Sequence, residues 1–210
     1  MRIDRPPPGE ELNEGDVTTP RASASLILLR DTDDGGPEVL LVRRNPEQRF
    51  MGGAWVFPGG ATAPEDEDEL ATAIRELEEE AGIELSDSHE LVRFSRWITP
   101  AQVKVRFDTH FFVAEAPEDA EPTVDGSECV DWLWVRPRQA LDMHRDDELM
   151  LVFPTIKHLE QLARFRTVSD AMETARASRV LPVEPRVIVE GGIAEVVLPG
   201  EDGYDDEGAT

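Results

Sequence analysis

A glutamate-rich segment that follows a glycine turn decides the fold of this chain. Its residues read Arg75-Glu76-Leu77-Glu78-Glu79-Glu80-Ala81-Gly82-Ile83. Residues 70–81 contain no Pro or Gly and are rich in Ala, Leu, Glu and Arg, which favour helices. Gly82 then supplies the usual signal for a helix C-terminus. The sequence therefore predicts a helix over residues 70–81.

The predicted helix has two different faces. At about 100° per residue, Glu76, Glu79 and Glu80 fall within an arc of about 100°. Arg75 precedes Glu79 by four positions, so its guanidinium can reach that carboxylate and orient it. A separate apolar stripe, able to pack on a sheet, is formed by Leu70, Ile74, Leu77 and Ala81.

Three ionised carboxylates on one helical face repel one another, and this conflict indicates a bound cation. Without a partner, the cluster raises at least one carboxyl pKa and weakens the helix. Oxygen ligands favour hard ions such as Mg²⁺ or Mn²⁺, which also bind phosphate oxygens. Such an ion suits phosphoanhydride hydrolysis, because it neutralises phosphate charge and acidifies a water, while a remaining carboxylate accepts the proton. A solvated glutamate face is the alternative, and the preceding turn, Phe57-Pro58-Gly59-Gly60, argues against it.

A known family motif matches this arrangement. Glu67, seven further residues, and then Arg75-Glu76-Leu77-x-Glu79-Glu80-x-Gly82-Ile83 resemble the Nudix box. The resemblance implies a Nudix-type α/β/α sandwich with a mixed sheet, and an enzyme that uses Mg²⁺ or Mn²⁺. The spacing of the box would place its leading glycine at Ala61, so the loop after Gly59 and Gly60 is one residue longer here.

The same resemblance implies roles for individual residues. The implied metal ligands are Glu76, Glu79 and Glu80. Glu79 or a neighbour would also act as the base, Arg75 would orient Glu79, and Glu67 would have a support role. Glu128 resembles a downstream position that adds a ligand in some members, and an exposed acid at a strand end is its alternative.

Residues 40–60 resemble the extra signature of coenzyme A diphosphatases, in which two leucines, spaced arginines and a glycine precede the turn. The longer loop over residues 63–66 resembles the same subgroup, as does the segment over residues 106–112. Arginines offer multidentate donors for phosphates, and a surface ion pair is the alternative for each of them. For Arg106 the alternative partner is Asp108 or another carboxylate nearby. The expected substrate-binding residues are Arg44, Arg49, Gly59, Gly60 and Arg106.

The expected function is hydrolysis of the diphosphate in a nucleoside-diphosphate-linked compound, with coenzyme A or an acyl derivative as the best candidate. A broader nucleotide pyrophosphatase, acting on ADP-ribose, dinucleoside polyphosphates or oxidised NTPs, is the alternative within enzymes. A non-catalytic module that senses a nucleotide is the alternative outside them. Retention of Glu76, Glu79 and Glu80 argues against such a module.

Composition limits the partners and the compartment. The formal net charge is −24, from 45 acidic and 21 basic residues, which argues against nucleic acid and anionic membranes. A small nucleotide-type molecule is the expected partner, and a homodimer is compatible with the sequence. Cys129 is the single cysteine, so a disulfide framework is excluded and the cytoplasm is expected. No apolar run approaches the roughly 18 residues that span a bilayer.

The chain has an α/β pattern with five predicted regions. They are a flexible N-terminal arm (1–20), a catalytic core (21–145), a helical extension (146–180), a C-terminal hairpin (181–200) and an acidic mobile tail (201–210). Strands are predicted over residues 22–29, 39–42, 54–57, 107–114 and 129–135, with the first two forming a hairpin. Further helices are predicted over residues 137–143, 154–165 and 168–177.

Overall fold

The structure is a computed structural model that describes residues 2–3, 11–13, 15–33, 35–190 and 193–204. Its strands are β1 (Arg2–Ile3), β2 (Arg21–Arg30), β3 (Glu38–Arg44), β4 (Trp55–Val56), β5 (Gly59–Ala61), β6 (Val92–Ile98), β7 (Phe107–Glu115), β8 (Cys129–Val135), β9 (Pro182–Val183), β10 (Arg186–Glu190) and β11 (Ile193–Val197). Its helices are α1 (Glu69–Ala81), α2 (Pro137–Arg145), α3 (Phe153–Leu162) and α4 (Val168–Ala177). Each predicted strand and helix is present within a few residues of its predicted bounds, and β6 is the main addition.

A mixed sheet forms the centre of the molecule, in the order β4-β3-β2-β7-β6-β9, with β5 also paired to β2 and β8 to β3. β2 and β7 run parallel, whereas β2 and β3 form the predicted antiparallel hairpin. The hairpin strands pair at Leu29–Val39 and Arg30–Glu38 and then take other partners. Further along, β2 pairs with β5 and β3 pairs with β8, which brings the glycine turn onto the sheet.

Side chains alternate across the sheet and give it two apolar faces. Leu26 and Leu28 of β2 pack with Leu77 of α1 on one face. Ile27 and Leu29 of the same strand belong to a second cluster, which includes side chains of α2, α3 and α4. The predicted α/β/α sandwich is therefore confirmed.

The predicted helical extension after residue 146 is present, and its helices α3 and α4 form a layer of this sandwich. Leu159 and Leu162 of α3 and Ala171 of α4 are fully buried. They share a cluster with Val39 and Val113 of the sheet. The physical reason is that an apolar sheet face needs a covering layer. None of the helices in the described ranges is long and apolar enough to cross a bilayer.

The N-terminal segment contacts the body of the protein, so it is not a loose arm along its whole length. Arg2–Ile3 pairs with β11. Leu12 forms a β-bridge with Val103, and the Lys104 ammonium lies 3.0 Å from a Glu11 carboxylate oxygen. Main-chain pairing of this kind explains the order, because it satisfies backbone groups that a free arm would leave to water.

The C-terminal segment also folds back on the protein. β10 and β11 form the predicted hairpin, whose turn at 191–192 lies outside the described residues. The Tyr204 hydroxyl donates to the Glu184 carbonyl at 2.8 Å, and the Arg186 guanidinium stacks over the Tyr204 ring. The start of the predicted tail is therefore packed, while residues 205–210 lie outside the described residues.

Candidate active site

Helix α1 carries the glutamates and is fixed at both ends by its own sequence. The Asp68 carboxylate caps its N-terminus by accepting from the Ala71 N–H at 2.9 Å. Gly82 ends the helix at a φ of 64°, a left-handed conformation that glycine adopts without strain. Leu77 and Ala81 are fully buried against the sheet. This packing fixes the rotation of the helix and hence the direction of its glutamates.

The Gly59–Gly60 turn lies against two of these glutamates. The Gly59 N–H donates to Glu80 Oε2 at 2.9 Å. A Cβ atom at Gly59 would lie 2.5 Å from the Ala24 carbonyl oxygen, and one at Gly60 would overlap the Glu76 carboxylate. Glycine at position 59 is therefore required for the close approach of the turn to β2, and glycine at position 60 leaves the Glu76 carboxylate in its place.

Glu80 is a buried carboxylate with a shifted protonation equilibrium. The residue is only 2% exposed. Burial raises the pKa of Glu80 to about 7, against the opposing effect of the Gly59 hydrogen bond. The Glu76 charge also raises this pKa, whereas Arg44, at 3.9 Å, and a hydrogen bond with the Cys129 thiol lower it. A carboxyl group that titrates near neutrality is typical of a functional site.

Glu76 is a second buried carboxylate beside Glu80. Burial raises the pKa of Glu76, and the Arg75 guanidinium opposes that shift by donating to Glu76 Oε1 at 2.8 Å. The charges of Glu79 and Glu128 raise the same pKa. Two buried carboxylates thus lie in one region of high negative potential, and a cation bound there would relieve their repulsion.

Arg75 contacts several carboxylates at once. Its Nη1 donates to Glu79 Oε2 at 2.8 Å, the contact that their spacing on the helix indicates. Its Nε and Nη2 donate to the two Asp66 carboxylate oxygens at 2.9 and 2.8 Å. This paired contact holds the pKa of Asp66 well below its usual range. Support of Arg75 therefore comes from Asp66 rather than from Glu67, which is exposed.

Glu79 and Glu128 are less enclosed than the buried pair. The Glu79 side chain is 59% exposed and is paired with Arg75. Glu128 lines the same cleft as Glu76 and Glu80. In the part of the chain that the structure describes, no three acidic, histidine or cysteine side chains converge into a preformed metal site. The four predicted ligands therefore lie in one neighbourhood without facing a common point.

A cleft of about 510 Å³ opens beside the buried carboxylates. Its charged lining includes Arg44, Glu76 and Glu80, and the Gly59–Gly60 turn lies at the same place. The volume is in the range of small-molecule sites. Much of the remaining lining is aromatic and comprises Phe50, Phe57, Trp97, Phe107, Phe111 and Phe153.

Of the predicted substrate arginines, Arg44 alone lines this cleft. One of its terminal nitrogens donates to the Gln48 side chain, and its buried Nε has no hydrogen-bond partner. Arg49 is exposed and lies outside the cleft lining. The hydrogen bond with Lys104 lowers the pKa of Glu11, and the charge of Arg49 adds a smaller effect in the same direction. Arg44 is thus placed beside Glu80 to contact an anionic ligand.

Arg106 is a buried structural residue, which corrects its prediction as a substrate ligand. It is 7% exposed and lies outside the cleft lining. Its Nε and Nη1 donate to the carbonyls of Thr99 and Thr18 at 2.9 and 2.8 Å. Its Nη2 pairs with Glu184 at 2.6 Å, rather than with Asp108. With these contacts the guanidinium joins three segments of the protein.

Asp66 and Cys129 are site residues that the sequence did not single out as such. Asp66 lies in the longer loop that was itself recognised, so a carboxylate near the box arginine was a usable signal. Cys129 contacts Glu80 only because β8 packs beside α1, and no sequence spacing announces that contact. Burial raises the pKa of the Cys129 thiol, which keeps it protonated as a donor to Glu80.

Comparisons with known proteins identify the family of this chain. Residues 19–152 match the NUDIX domain family. The chain is 25% identical over 234 residues to "Putative nudix hydrolase 7" of Caenorhabditis elegans, across 92% of this chain and 78% of that protein. It is 37% identical over 83 residues to "Uncharacterized Nudix hydrolase NudL" of Photorhabdus laumondii, across 40% of this chain and 41% of that one.

A solved structure shows the same fold over most of the chain. The crystal structure of a NUDIX hydrolase from Alicyclobacillus acidocaldarius is 28% identical and superposes with a TM-score of 0.66. The match covers 78% of this chain and 98% of that one. The chain therefore belongs to the Nudix family and is a hydrolase of diphosphate bonds.

Proposed function

We propose that this protein hydrolyses the diphosphate of a nucleoside-diphosphate-linked compound with the help of a divalent cation, and that coenzyme A or an acyl-coenzyme A is the first substrate to test. The observation that carries the proposal is the buried pair Glu76 and Glu80, which lies beside Arg44 in a cleft of about 510 Å³. Carboxylates next to an arginine suit a cation together with the phosphates it binds.

The donor chemistry fits a hard divalent cation, Mg²⁺ or Mn²⁺. Glu76 and Glu80 are buried acids whose pKa values are raised by burial and by neighbouring carboxylates, which are Glu79 and Glu128 for Glu76, and Glu76 for Glu80. A cation bound between them replaces repulsion by attraction. We assign them as ligands, with Glu128, which immediately precedes β8 and lines the cleft, as an additional ligand. When bound, the cation supplies phosphate neutralisation and an acidified water.

The remaining residues of the site bind phosphate, orient Glu79 and accept a proton. Arg44 has a buried Nε without a partner and is placed to bind a phosphate oxygen. Arg75 fixes Glu79, and we assign Glu79 as both a ligand of the cation and the proton acceptor, because it is the most accessible carboxylate of the helix face. The Gly59–Gly60 turn allows close approach of the substrate.

Support for coenzyme A comes from the longer loop and from the aromatic cleft. The loop carries Asp66, which braces the arginine of the box. The aromatic lining can receive the less polar part of a large substrate. Arg49 and Arg106 have no part in this proposal, since neither lines the cleft. A cytoplasmic location and a homodimer stay predictions.

A substrate screen with and without Mg²⁺ or Mn²⁺ tests the proposal. Coenzyme A, acyl-coenzyme A, ADP-ribose, dinucleoside polyphosphates and oxidised NTPs would each be incubated with the protein, and products identified by mass spectrometry. Coenzyme A should yield 3′,5′-ADP and phosphopantetheine. Rapid turnover of ADP-ribose or an NTP with coenzyme A untouched would move the assignment to a broader pyrophosphatase. No turnover of any compound, with nucleotide binding retained, would indicate a sensing module.

Gly60→Ala is expected to lower kcat about tenfold while the protein remains folded. The added methyl displaces the Glu76 carboxylate, which is the mobile end of a side chain and can move aside. In Gly59→Ala the clash is with the β2 backbone at Ala24 and Ser25, so the free energy of unfolding should fall by about 1–3 kcal/mol. Steady-state kinetics and urea unfolding of both variants check the contrast. Equal losses of stability would contradict it.

Asp66→Asn is expected to lower kcat about tenfold, with little change in KM, because Arg75 loses its paired partner and holds Glu79 less firmly. Glu67→Gln is the matched control, since Glu67 is the adjacent acid in the chain and is exposed. Kinetics of the two proteins under identical metal concentrations give the comparison. A larger loss in the Glu67 variant would return the support role to that residue.

A further inference from the structure

One side of the catalytic cleft is built from parts of the chain outside the NUDIX match. That match covers residues 19–152. Leu12 precedes it, and Pro185, Val187 and Val196 follow it, yet all four line the cleft that contains the buried glutamates. We call these four residues the terminal wall. The cleft of this protein is therefore shaped by its own terminal segments as well as by the family domain.

The terminal wall is tied to the domain by specific contacts. Arg106 is buried and binds the Thr18 and Thr99 carbonyls and the Glu184 carboxylate, which brings the N-terminal segment, the loop after β6 and the C-terminal segment together. The Leu12 bridge to Val103 adds a main-chain link. β1 pairs with β11, so the two termini also hold each other. Such contacts make the wall a fixed part of the cleft.

Four hydroxyl side chains that line the cleft are already hydrogen-bonded within the protein. The Ser23 and Thr109 hydroxyls bond each other at 2.7 Å, and the Ser25 hydroxyl donates to the Pro58 carbonyl at 2.9 Å. The Thr99 hydroxyl accepts from the Phe107 N–H at 3.0 Å. Each of these hydroxyls already has a hydrogen-bond partner within the protein, which reduces what it can offer to the polar edge of a base.

We propose that the terminal wall selects substrates in which an aliphatic chain is attached through the diphosphate, and that the chain lies between the wall and the aromatic residues of the sheet. This inference rests on the proposed function, because the diphosphate must lie at Glu76 and Glu80 for its substituent to reach the wall. Burying a methylene is worth about a factor of four in affinity. In a partly open cleft each methylene is only partly buried, so the gain in affinity for each carbon is smaller than fourfold.

A series of ADP esters tests the selection without depending on coenzyme A. Ethyl, butyl, hexyl and octyl esters on the β-phosphate differ only in the apolar group. Water adds across the phosphoanhydride and gives AMP and the alkyl phosphate. The expected kcat/KM with Mg²⁺ rises at least tenfold from ethyl to octyl. The dissociation constants, measured calorimetrically on the wild-type protein in EDTA, are expected to fall from ethyl to octyl.

The two measurements separate failure of this inference from failure of the proposed function. If no ester is hydrolysed, the proposed function is overturned, and the binding series still decides whether the cleft prefers the longer chain. If all four esters are hydrolysed and bound equally well, the hydrolase assignment stands and the selection by an aliphatic chain is overturned.

Variants of the terminal wall locate the effect. In the double variant Leu12→Ser/Val187→Ser, the octyl-to-ethyl ratio of kcat/KM should fall at least threefold, because two apolar contacts are replaced by hydroxyls. Leu181→Ser is the matched control, since Leu181 is 60% exposed, lies in the same C-terminal segment and is outside the cleft lining. Its ratio should equal that of the wild type. An unchanged ratio in a folded double variant, checked by circular dichroism, would overturn the role of the wall.

Discussion

Glu80→Gln is expected to lower kcat for Mg²⁺-dependent hydrolysis by about 10²–10⁴-fold while the fold is retained. The amide keeps the size of the side chain and can still accept from the Gly59 N–H, which donates to Glu80 at 2.9 Å in the wild type. It removes the charge that binds the cation. Affinity for Mn²⁺, followed by electron paramagnetic resonance, should fall in parallel with activity.

Two neighbouring glutamates provide the controls for that substitution. Glu78→Gln removes an equal charge from an exposed position of the same helix and should leave kcat within about twofold. Glu79→Gln should abolish most hydrolysis and weaken Mn²⁺ binding less than Glu80→Gln does, because Glu79 is the accessible carboxylate held by Arg75. Full activity in the Glu80 variant would refute the mechanism, and full activity in the Glu79 variant would refute its role as base.

The helix and its glutamates could be predicted because their information is local. Helical spacing alone brings Glu76, Glu79 and Glu80 to one side, and it brings Arg75 within reach of Glu79. Helical spacing does not determine how deeply each side chain is buried. Glu80 is 2% exposed, whereas the Glu79 side chain is 59% exposed, and the difference comes from the glycine turn that covers one and leaves the other open.

The arginines show where sequence reasoning ends. Arg44 and Arg106 carry the same group, yet one lines the cleft and the other is enclosed by carbonyls and Glu184. The partners of Arg106 come from segments far apart in the chain, at Thr18 and Glu184, and no local pattern reveals such a meeting. From sequence alone, an arginine that binds phosphate cannot be distinguished from a structural arginine, because the neighbours of its guanidinium are not known.

The fold also divides into features that local sequence patterns predict and features that depend on contacts between distant segments. Periodicity predicted α3, in which Leu159 and Leu162 recur at helical spacing, and the segment of α4 was predicted as a further helix. Periodicity could not assign α3 and α4 to a layer, since both faces of the sheet are apolar and either could be covered by helices. The contact of the terminal segments with the domain was missed for a related reason: pairing of β1 with β11 joins opposite ends of the chain.

In EDTA, Glu80→Gln is expected to gain stability over the wild type by about 2.5 kcal/mol as the pH rises from 5 to 8. Burial raises the pKa of Glu80 to about 7 from an ordinary value of 4.5. Between these values the folded state binds more protons than the unfolded state, so rising pH destabilises the wild type. This loss of stability in the wild type is nearly complete above pH 7 and nearly absent below pH 4.5. Glutamine does not titrate and escapes it.

The difference between the two proteins is the quantity to measure, because another buried group acts in the opposite direction. Burial lowers the pKa of His158 to about 3, so its contribution to stability falls as the pH drops below about 6.5, where the unfolded imidazole takes up a proton. That effect is common to both proteins and cancels. Urea unfolding at pH 5, 6, 7 and 8 gives the difference, and Mg²⁺ at pH 8 should stabilise the wild type more than the variant. If the difference in the free energy of unfolding is constant across this range, burial does not destabilise the ionised form of Glu80. The reason for placing the cation there would then be removed.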